Sequence, residues 1–158
     1  MSLKPGQPAP DFELPDQNGD LVRLSQFRGQ SAVVIFFYPK DDTTGCTKEA
    51  CGFRDRFETF QAKGVRILGI SSDSTASHQQ FAAKFGLPYS LLSDANGRVR
   101  KLYGVRSTFG VIPGRASFVV DRDGLLRNVF SSQFQPERHV EEALRALVGQ
   151  ISDLPSHR

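Results

Sequence analysis

The sequence predicts an α/β fold in which helices flank a mixed central sheet and a β-hairpin precedes them at the N-terminus. Residues 31 to 71 contain an apolar strand, a helical pattern and a second apolar strand, the order of a βαβ unit with a parallel strand pair. Short apolar segments on either side of Asn18-Gly19 carry the turn signal of a hairpin. The C-terminal part adds a strand, a turn, a second strand and an amphipathic helix.

The first half of the chain provides the hairpin and the βαβ unit. Phe12–Leu14 and Leu21–Leu24 are the predicted hairpin strands. Ser31–Tyr38 is a continuous apolar run, typical of a strand that is buried on both faces. A helix is predicted from about Gly45 to about Lys63, and Val65–Ser71 is the second buried strand. The segment before the helix therefore follows the carboxyl end of a parallel strand, where open α/β sheets place their functional sites.

The second half continues the alternation of helices and strands. The predicted elements are a helix at Ser74–Phe85, a short helix at Val99–Tyr103, a long loop through Pro113, strands at Ala116–Val120 and Leu125–Phe130, and a helix at Pro136–Val148. In the last helix Val140, Leu144 and Leu147 form the apolar side. This order fits a thioredoxin-like fold, and because no repeat or linker interrupts it, residues 1–158 are predicted to form a single domain.

Composition and charge disfavour several classes of function. The 158 residues are 39% hydrophobic and 23% charged, which is ordinary for one globular domain. The formal net charge of +3 comes from dispersed residues without a Lys/Arg run, so nucleic-acid binding is not expected. No stretch approaches the roughly 18 apolar residues of a membrane span, and the N-terminus lacks an apolar signal segment. We therefore expect no membrane association and a cytoplasmic location.

Cys46 lies between the apolar strand and the helix, and this position predicts a reactive thiol. The first turn of a helix presents unpaired N–H groups and the positive end of the helix dipole, which favour the nucleophilic thiolate. The alternative is a packing role, because Cys46 lies at the N-terminal end of an apolar stripe that includes Ala50 and Phe53. Cys51 lies off that stripe, so packing explains it less well.

The chain contains two cysteines, and their number and spacing suit redox chemistry. Two cysteines fit working thiols in a reducing compartment better than a disulfide framework. A structural metal would need four ligands, and the other candidates, His78, His139 and His157, have no paired spacing. Helical positions five apart have Cα atoms ~8.6 Å apart, whereas a disulfide needs less than about 7 Å. A bond between Cys46 and Cys51 would require the helix to unwind locally, which predicts a redox switch.

The spacing Pro39-x-x-x-Thr43-x-x-Cys46 resembles the active-site motif of the peroxiredoxins. Further segments of the same resemblance are Gly6–Asp16, Gly45–Thr47, Cys51 with Phe53–Asp55, and Arg115–Asp121. Together they make the chain similar to the PrxQ subfamily, also called bacterioferritin comigratory protein, from about residue 4 to at least residue 130. The resemblance also implies a thioredoxin-like fold, in agreement with the order of the predicted elements.

The resemblance implies roles for five residues. Cys46 would be the peroxidatic cysteine, which a hydroperoxide oxidises to sulfenic acid, and Cys51 would be the resolving cysteine. Thr43 would hydrogen-bond the thiolate and the peroxide, and Pro39 would shield the sulfenic acid from water. Arg115 would stabilise the thiolate and hold the polarised peroxide oxygens, since a guanidinium is always charged and offers several fixed donors.

Three positions also allow plain structural interpretations. Arg115 could be a surface arginine that follows a turn. Thr43 could be an ordinary N-cap, a role compatible with contact to the thiolate. Glu49 lies in the same region, but an acidic residue in the first turns of a helix is common for electrostatic reasons, so we assign it no function.

Four functions are compatible with these residues. The resemblance implies a thiol peroxidase that acts on hydrogen peroxide and organic hydroperoxides through a Cys46–Cys51 disulfide, is reset by thioredoxin or a similar dithiol, needs no cofactor or metal, and is a monomer. The alternatives are a thiol-disulfide oxidoreductase or redox sensor, a copper carrier that uses both cysteines and a distant histidine, and a Cys-His hydrolase. None of these alternatives explains Thr43 and Arg115, so we adopt the peroxidase interpretation.

Overall fold

The structure is a computed structural model that describes residues 3–105, 114–132 and 135–152. Most of the predicted loop through Pro113 lies outside these residues, as does His157. Within the described ranges, no helix has both the length and the apolar character needed to cross a membrane.

Seven strands and five α-helices follow one another in the described chain. The strands are β1 (Glu13–Pro15), β2 (Leu21–Arg23), β3 (Ala32–Phe37), β4 (Val65–Ser71), β5 (Ser90–Ser93), β6 (Ala116–Val120) and β7 (Leu126–Ser131). The helices are α1 (Thr44–Asp55), α2 (Phe57–Ala62), α3 (Thr75–Phe85), α4 (Arg98–Leu102) and α5 (Pro136–Ser152), with a short 3₁₀ helix at Leu24–Phe27.

The strands form the predicted hairpin and the predicted mixed sheet. β1 and β2 pair antiparallel, and the main sheet has the order β5-β4-β3-β6-β7. β3 is parallel to β4 and antiparallel to β6, and β4 is parallel to β5. All six residues of β3 are buried, as expected of a central strand covered on both faces. The thioredoxin-like α/β fold is thus confirmed, and its central strand leads directly to Cys46.

Alternate residues of β3 point to opposite faces of the sheet and enter two separate apolar cores. Val34 and Phe36 pack with residues of α1, α2, α3 and α5, and Cys46 belongs to this core. Val33 and Ile35 pack instead with the N-terminal hairpin and α4. The ring of Phe36 stacks on that of Phe53 in α1 with centroids 4.6 Å apart, which fixes the helix against the sheet.

Two predicted features differ from the structure. The helix predicted from Gly45 to Lys63 is divided into α1 and α2 at Arg56, whose N–H bonds to the Phe53 carbonyl three residues earlier. The apolar spacing is the same on both sides of the break, so periodicity alone could not locate it. Strand β5 was not predicted, because a four-residue buried run is too short to give a periodic signal.

Candidate active site

The N-terminus of α1 places the Cys46 sulfur in a buried position. Thr43 is the N-cap residue with extended backbone angles, and its carbonyl accepts the hydrogen bond from the Thr47 N–H at 2.8 Å. Cys46 is therefore the third residue of the helix, and it is 1% exposed. At this position the sulfur lies near the positive end of the helix dipole and the unpaired N–H groups of the first turn.

Arg115 reaches the sulfur from the neighbouring strand. Register pairs Phe37 with Ala116, so Arg115 enters β6 beside the end of β3. Its Nη2 donates to Cys46 Sγ at 3.5 Å, and the residue is 5% exposed. Arg115 is thus not the surface arginine that the sequence alone also allowed. Burial disfavours its charged form, but Glu49 and Cys46 more than offset this and raise the pKa of Arg115.

Glu49 is the second partner of the guanidinium. Arg115 Nη1 donates to Glu49 Oε1 at 2.5 Å, and the carboxyl group is fully buried. Burial raises the pKa of Glu49 to about 8, although Arg115 acts in the opposite direction. When Glu49 holds a proton, the guanidinium charge faces Cys46 without a competing carboxylate. The Cys46, Arg115 and Glu49 side chains therefore form one electrostatic unit.

His139 of α5 lies next to the second oxygen of the Glu49 carboxyl group. Its Nδ1 lies 3.6 Å from Glu49 Oε2 and 2.9 Å from Ser117 Oγ, and its Nε2 donates to the Ser132 carbonyl at 2.9 Å. Burial lowers the pKa of His139 to about 4, so the ring is neutral at pH 7. Glu49 Oε2 has no hydrogen-bond partner within the described structure, which adds to the cost of ionising this carboxyl.

Two glycines of α1 allow close packing around the site. A Cβ on Gly45 would lie 3.1 Å from Arg115 Nη2, so the absence of a side chain lets the guanidinium approach the helix. A Cβ on Gly52 would lie 3.0 Å from Val140 Cγ2, at the contact between α1 and α5. The tightest contact thus differs between the two positions: it is with Arg115 at Gly45 and with Val140 of α5 at Gly52.

Thr43 and Pro39 border the site, and their proposed roles remain predictions. The Thr43 hydroxyl donates to the Lys40 carbonyl at 2.9 Å and does not cap the helix through its side chain. Thr43 is exposed at the start of α1, and its oxygen keeps lone pairs that can accept a hydrogen bond. Pro39 is half-buried in the segment that leads from β3 to α1.

Cys51 is half-buried on α1, and both cysteines are free thiols in this structure. Burial raises the pKa of Cys51, with Arg54 acting in the opposite direction. α1 is continuous through both positions, so the helical Cα separation of ~8.6 Å applies. The structure thus corresponds to the reduced, fully helical form, and the predicted disulfide would require another conformation of α1.

The described residues offer little to the copper-carrier and hydrolase alternatives. They contain one group of three possible metal ligands within 4.8 Å of one another, Asp41, Asp73 and His78, which includes neither cysteine. Within the same ranges, His78 and His139 direct their ring nitrogens to other partners, not to Cys46.

The fold and the site place this protein in a class of thiol-based redox proteins, in which the reactive cysteine lies in the first turn of the helix that follows the central strand. The model of the AhpC/TSA family matches residues 5–129, and the chain belongs to this family, in its peroxiredoxin Q branch. It is 50% identical over 143 residues to peroxiredoxin Q of Suaeda salsa, a chloroplastic protein. This alignment covers 90% of the chain and 66% of the relative.

Two solved structures share the fold over most of their length. The crystal structure of peroxidoxin BcpB from Mycobacterium tuberculosis is 41% identical, with a TM-score of 0.86, and the match covers 93% of this chain and 97% of that one. The Xanthomonas campestris bacterioferritin comigratory protein, studied for alkyl peroxide reduction, is 29% identical with a TM-score of 0.81. That match covers 88% of this chain and 91% of the other.

Sequence reasoning left Glu49 and His139 without a function. Glu49 lies three residues after Cys46 and one before Ala50, on the buried face of α1, and a charge on such a face is the signal that was available. His139 carried no comparable signal, because the contact between α5 and α1 joins distant parts of the chain.

Proposed function

We propose that this protein is a thiol-dependent peroxidase that reduces hydrogen peroxide and organic hydroperoxides. The observation that carries the proposal is the contact of 3.5 Å between Arg115 Nη2 and the buried Cys46 Sγ at the start of α1. A fixed positive charge and a helix N-terminus at one sulfur favour its anion and can stabilise charge on a departing oxygen. Membership of the AhpC/TSA family supports the same activity.

In the first step the Cys46 thiolate attacks one oxygen of the hydroperoxide. An S–O bond forms while the O–O bond breaks, so the sulfur loses two electrons and the peroxide gains them. The departing oxygen takes up a proton and leaves as water or an alcohol, and Cys46 becomes a sulfenic acid. The Arg115 guanidinium donates to the oxygens as charge moves to them. The Thr43 hydroxyl, which donates its proton to the Lys40 carbonyl, keeps lone pairs that can accept a hydrogen bond from the hydroperoxide.

In the second step the Cys51 thiolate attacks the Cys46 sulfenic acid. An S–S bond forms while the S–O bond breaks, and the departing hydroxide takes up a proton and leaves as water. The first turns of α1 must unwind for this step, because the helical spacing exceeds the disulfide limit of about 7 Å. A dithiol of the thioredoxin type then reduces the Cys46–Cys51 disulfide by thiol–disulfide exchange and is itself oxidised to a disulfide. In this scheme Pro39 limits the access of water to the sulfenic acid.

Substrate and setting follow from the same chemistry. Alkyl peroxide reduction is named for the Xanthomonas campestris relative, which supports an organic hydroperoxide as one substrate here. Two working thiols suit the reducing cytoplasm, and we take the protein to act as a monomer. No cofactor enters the scheme, because both electron transfers take place at sulfur.

Thioredoxin-coupled turnover of single-cysteine variants tests the proposal. The variant Cys46→Ser should consume no peroxide, whereas Cys51→Ser should consume about one equivalent and then stall as its sulfenic acid oxidises further. Appreciable turnover by Cys46→Ser would place the nucleophile elsewhere. Sustained thioredoxin-coupled cycling by Cys51→Ser would show that Cys51 is not the resolving residue. A wild-type protein that exchanges disulfides but does not react with peroxide would instead indicate an oxidoreductase.

A further inference from the structure

His78 of α3 is fully buried, and both of its ring nitrogens have partners. Nε2 lies 2.9 Å from the carbonyl oxygen of Leu92, which can only accept, so Nε2 carries a proton. Nδ1 lies 2.7 Å from Asp41 Oδ2, within hydrogen-bonding distance. His78 therefore connects α3 and β5 with the loop that leads into α1.

Asp41 is fixed by its side chain and by its backbone. Besides His78, the carboxylate accepts hydrogen bonds from Tyr38 Oη at 2.6 Å and Ser77 Oγ at 2.8 Å. The Asp41 N–H donates to Asp73 Oδ2 at 2.8 Å. Burial and the neighbouring Asp41 charge raise the pKa of Tyr38 well above its ordinary value, so the hydroxyl remains a donor. Every polar group of Asp41 named here points into the buried network rather than into water.

This network lies next to the residues that begin α1. Asp41 is two residues before Thr43, and Asp42 between them has a φ of 59°, in the left-handed region that residues other than glycine rarely adopt. Such a conformation persists only when its surroundings hold it. On the β6 side, Arg115 bonds to Cys46 and Glu49 in the first turns of α1. On the α3 side, His78 bonds to Asp41 in the loop that precedes α1.

We propose that His78 is a positioning residue which, through Asp41, keeps the first turn of α1 folded and sets how readily that turn unwinds for Cys51. This inference rests on the proposed function, because it concerns the fate of the Cys46 sulfenic acid. That sulfenic acid either condenses with Cys51 and releases water, or reacts with a second hydroperoxide to give sulfinic acid and water or an alcohol. Strong hydrogen bonding of the loop to His78 slows unwinding of α1 and favours the sulfinic acid, whereas weaker bonding favours the disulfide.

The variant His78→Phe tests the role, since it retains an aromatic ring and removes both hydrogen bonds. In the reduced protein, amide exchange of residues 40–50 should accelerate at least about tenfold, the size expected for loss of hydrogen bonds to a charged buried group. At a fixed excess of hydroperoxide, the disulfide should form faster and the sulfinic fraction should fall. Ser77→Ala removes one bond from the same carboxylate and should change both quantities in the same direction but less.

Leu126→Ala is the matched control. Leu126 is fully buried in the core that contains Val33 and Ile35, so its replacement by alanine lowers stability without changing the His78–Asp41 network. It should reduce the melting temperature and leave both readouts unchanged. If His78→Phe does not fold, Ser77→Ala carries the test. Wild-type amide exchange and an unchanged sulfinic fraction in the variants would overturn the role of His78, as would equal changes in Leu126→Ala. Failure of the wild type to form any Cys46–Cys51 disulfide would contradict the proposed function instead.

Discussion

Removing the guanidinium of Arg115 should separate its contribution to reactivity from its contribution to stability. The change Arg115→Met retains an unbranched side chain and removes the donors to Cys46 and Glu49. Two unit charges 3.5 Å apart attract each other by about 5 kcal/mol at an effective dielectric constant of about 20. Loss of one preorganised donor in other enzymes slows the chemical step by about 10²–10³. We expect a loss of that order in the rate constant for peroxide, measured by stopped flow.

The stability of Arg115→Met depends on the proton of Glu49. Breaking a buried ion pair from one side costs about 3–5 kcal/mol when the remaining charge stays ionised. Since burial raises the pKa of Glu49 to about 8, the carboxyl takes up a proton and the variant loses less stability at pH 6 than at pH 9. Urea unfolding at the two pH values measures this difference.

The double variant Glu49→Gln/Arg115→Met is the control that separates the two effects. It no longer has a carboxyl group at position 49, so it should regain stability at pH 9 while its reaction with peroxide remains slow. Recovery of the wild-type rate in the double variant would show that an unpaired Glu49, rather than the missing guanidinium, caused the defect. A rate in Arg115→Met within about threefold of wild type would remove Arg115 from the active site.

Two further variants test the surroundings of the site. A raised pKa means that the folded protein binds the Glu49 proton more tightly than the unfolded chain does, so this stabilisation is complete below pH 4.5 and is lost as the pH rises through about 8. In the wild type, this loss should lower the free energy of unfolding by about 3 kcal/mol between pH 6 and 9. Glu49→Gln should lack this contribution, and a decline as large as that of the wild type would refute the assignment. Gly45→Ala should slow the peroxide step several-fold, because its Cβ would lie 3.1 Å from Arg115 Nη2. Gly52→Ala adds a Cβ elsewhere on α1, where it would lie 3.0 Å from Val140 Cγ2 and not against Arg115. Equal rates in the two alanine variants would contradict this explanation.

The sequence was sufficient to predict the parts of the fold that depend on local pattern. The apolar run at β3 and the alternation with α1 and β4 follow from strand and helix periodicity, and both place Cys46 at the carboxyl end of the sheet. The N-cap position of Thr43 fits the same local reasoning. These features need only residues that are close in the chain.

Other features depend on contacts between distant segments. The break between α1 and α2 at Arg56 leaves the apolar spacing unchanged, and β5 depends on pairing with β4 rather than on a periodic pattern of its own. The approach of His139 to Glu49 and of His78 to Asp41 joins separate helices to the α1 region. Polar side chains in these positions look like ordinary surface residues until the packing of α3 and α5 is known.

Mass spectrometry of the oxidised protein tests the central claim most directly. The reduced protein would be treated with one equivalent of hydrogen peroxide, blocked with an alkylating reagent and digested for peptide mapping. We predict that two hydrogen atoms are lost and that an intramolecular bond links Cys46 to Cys51. Recovery of both residues as alkylated thiols, or a linkage between two chains in place of the internal one, would contradict the account.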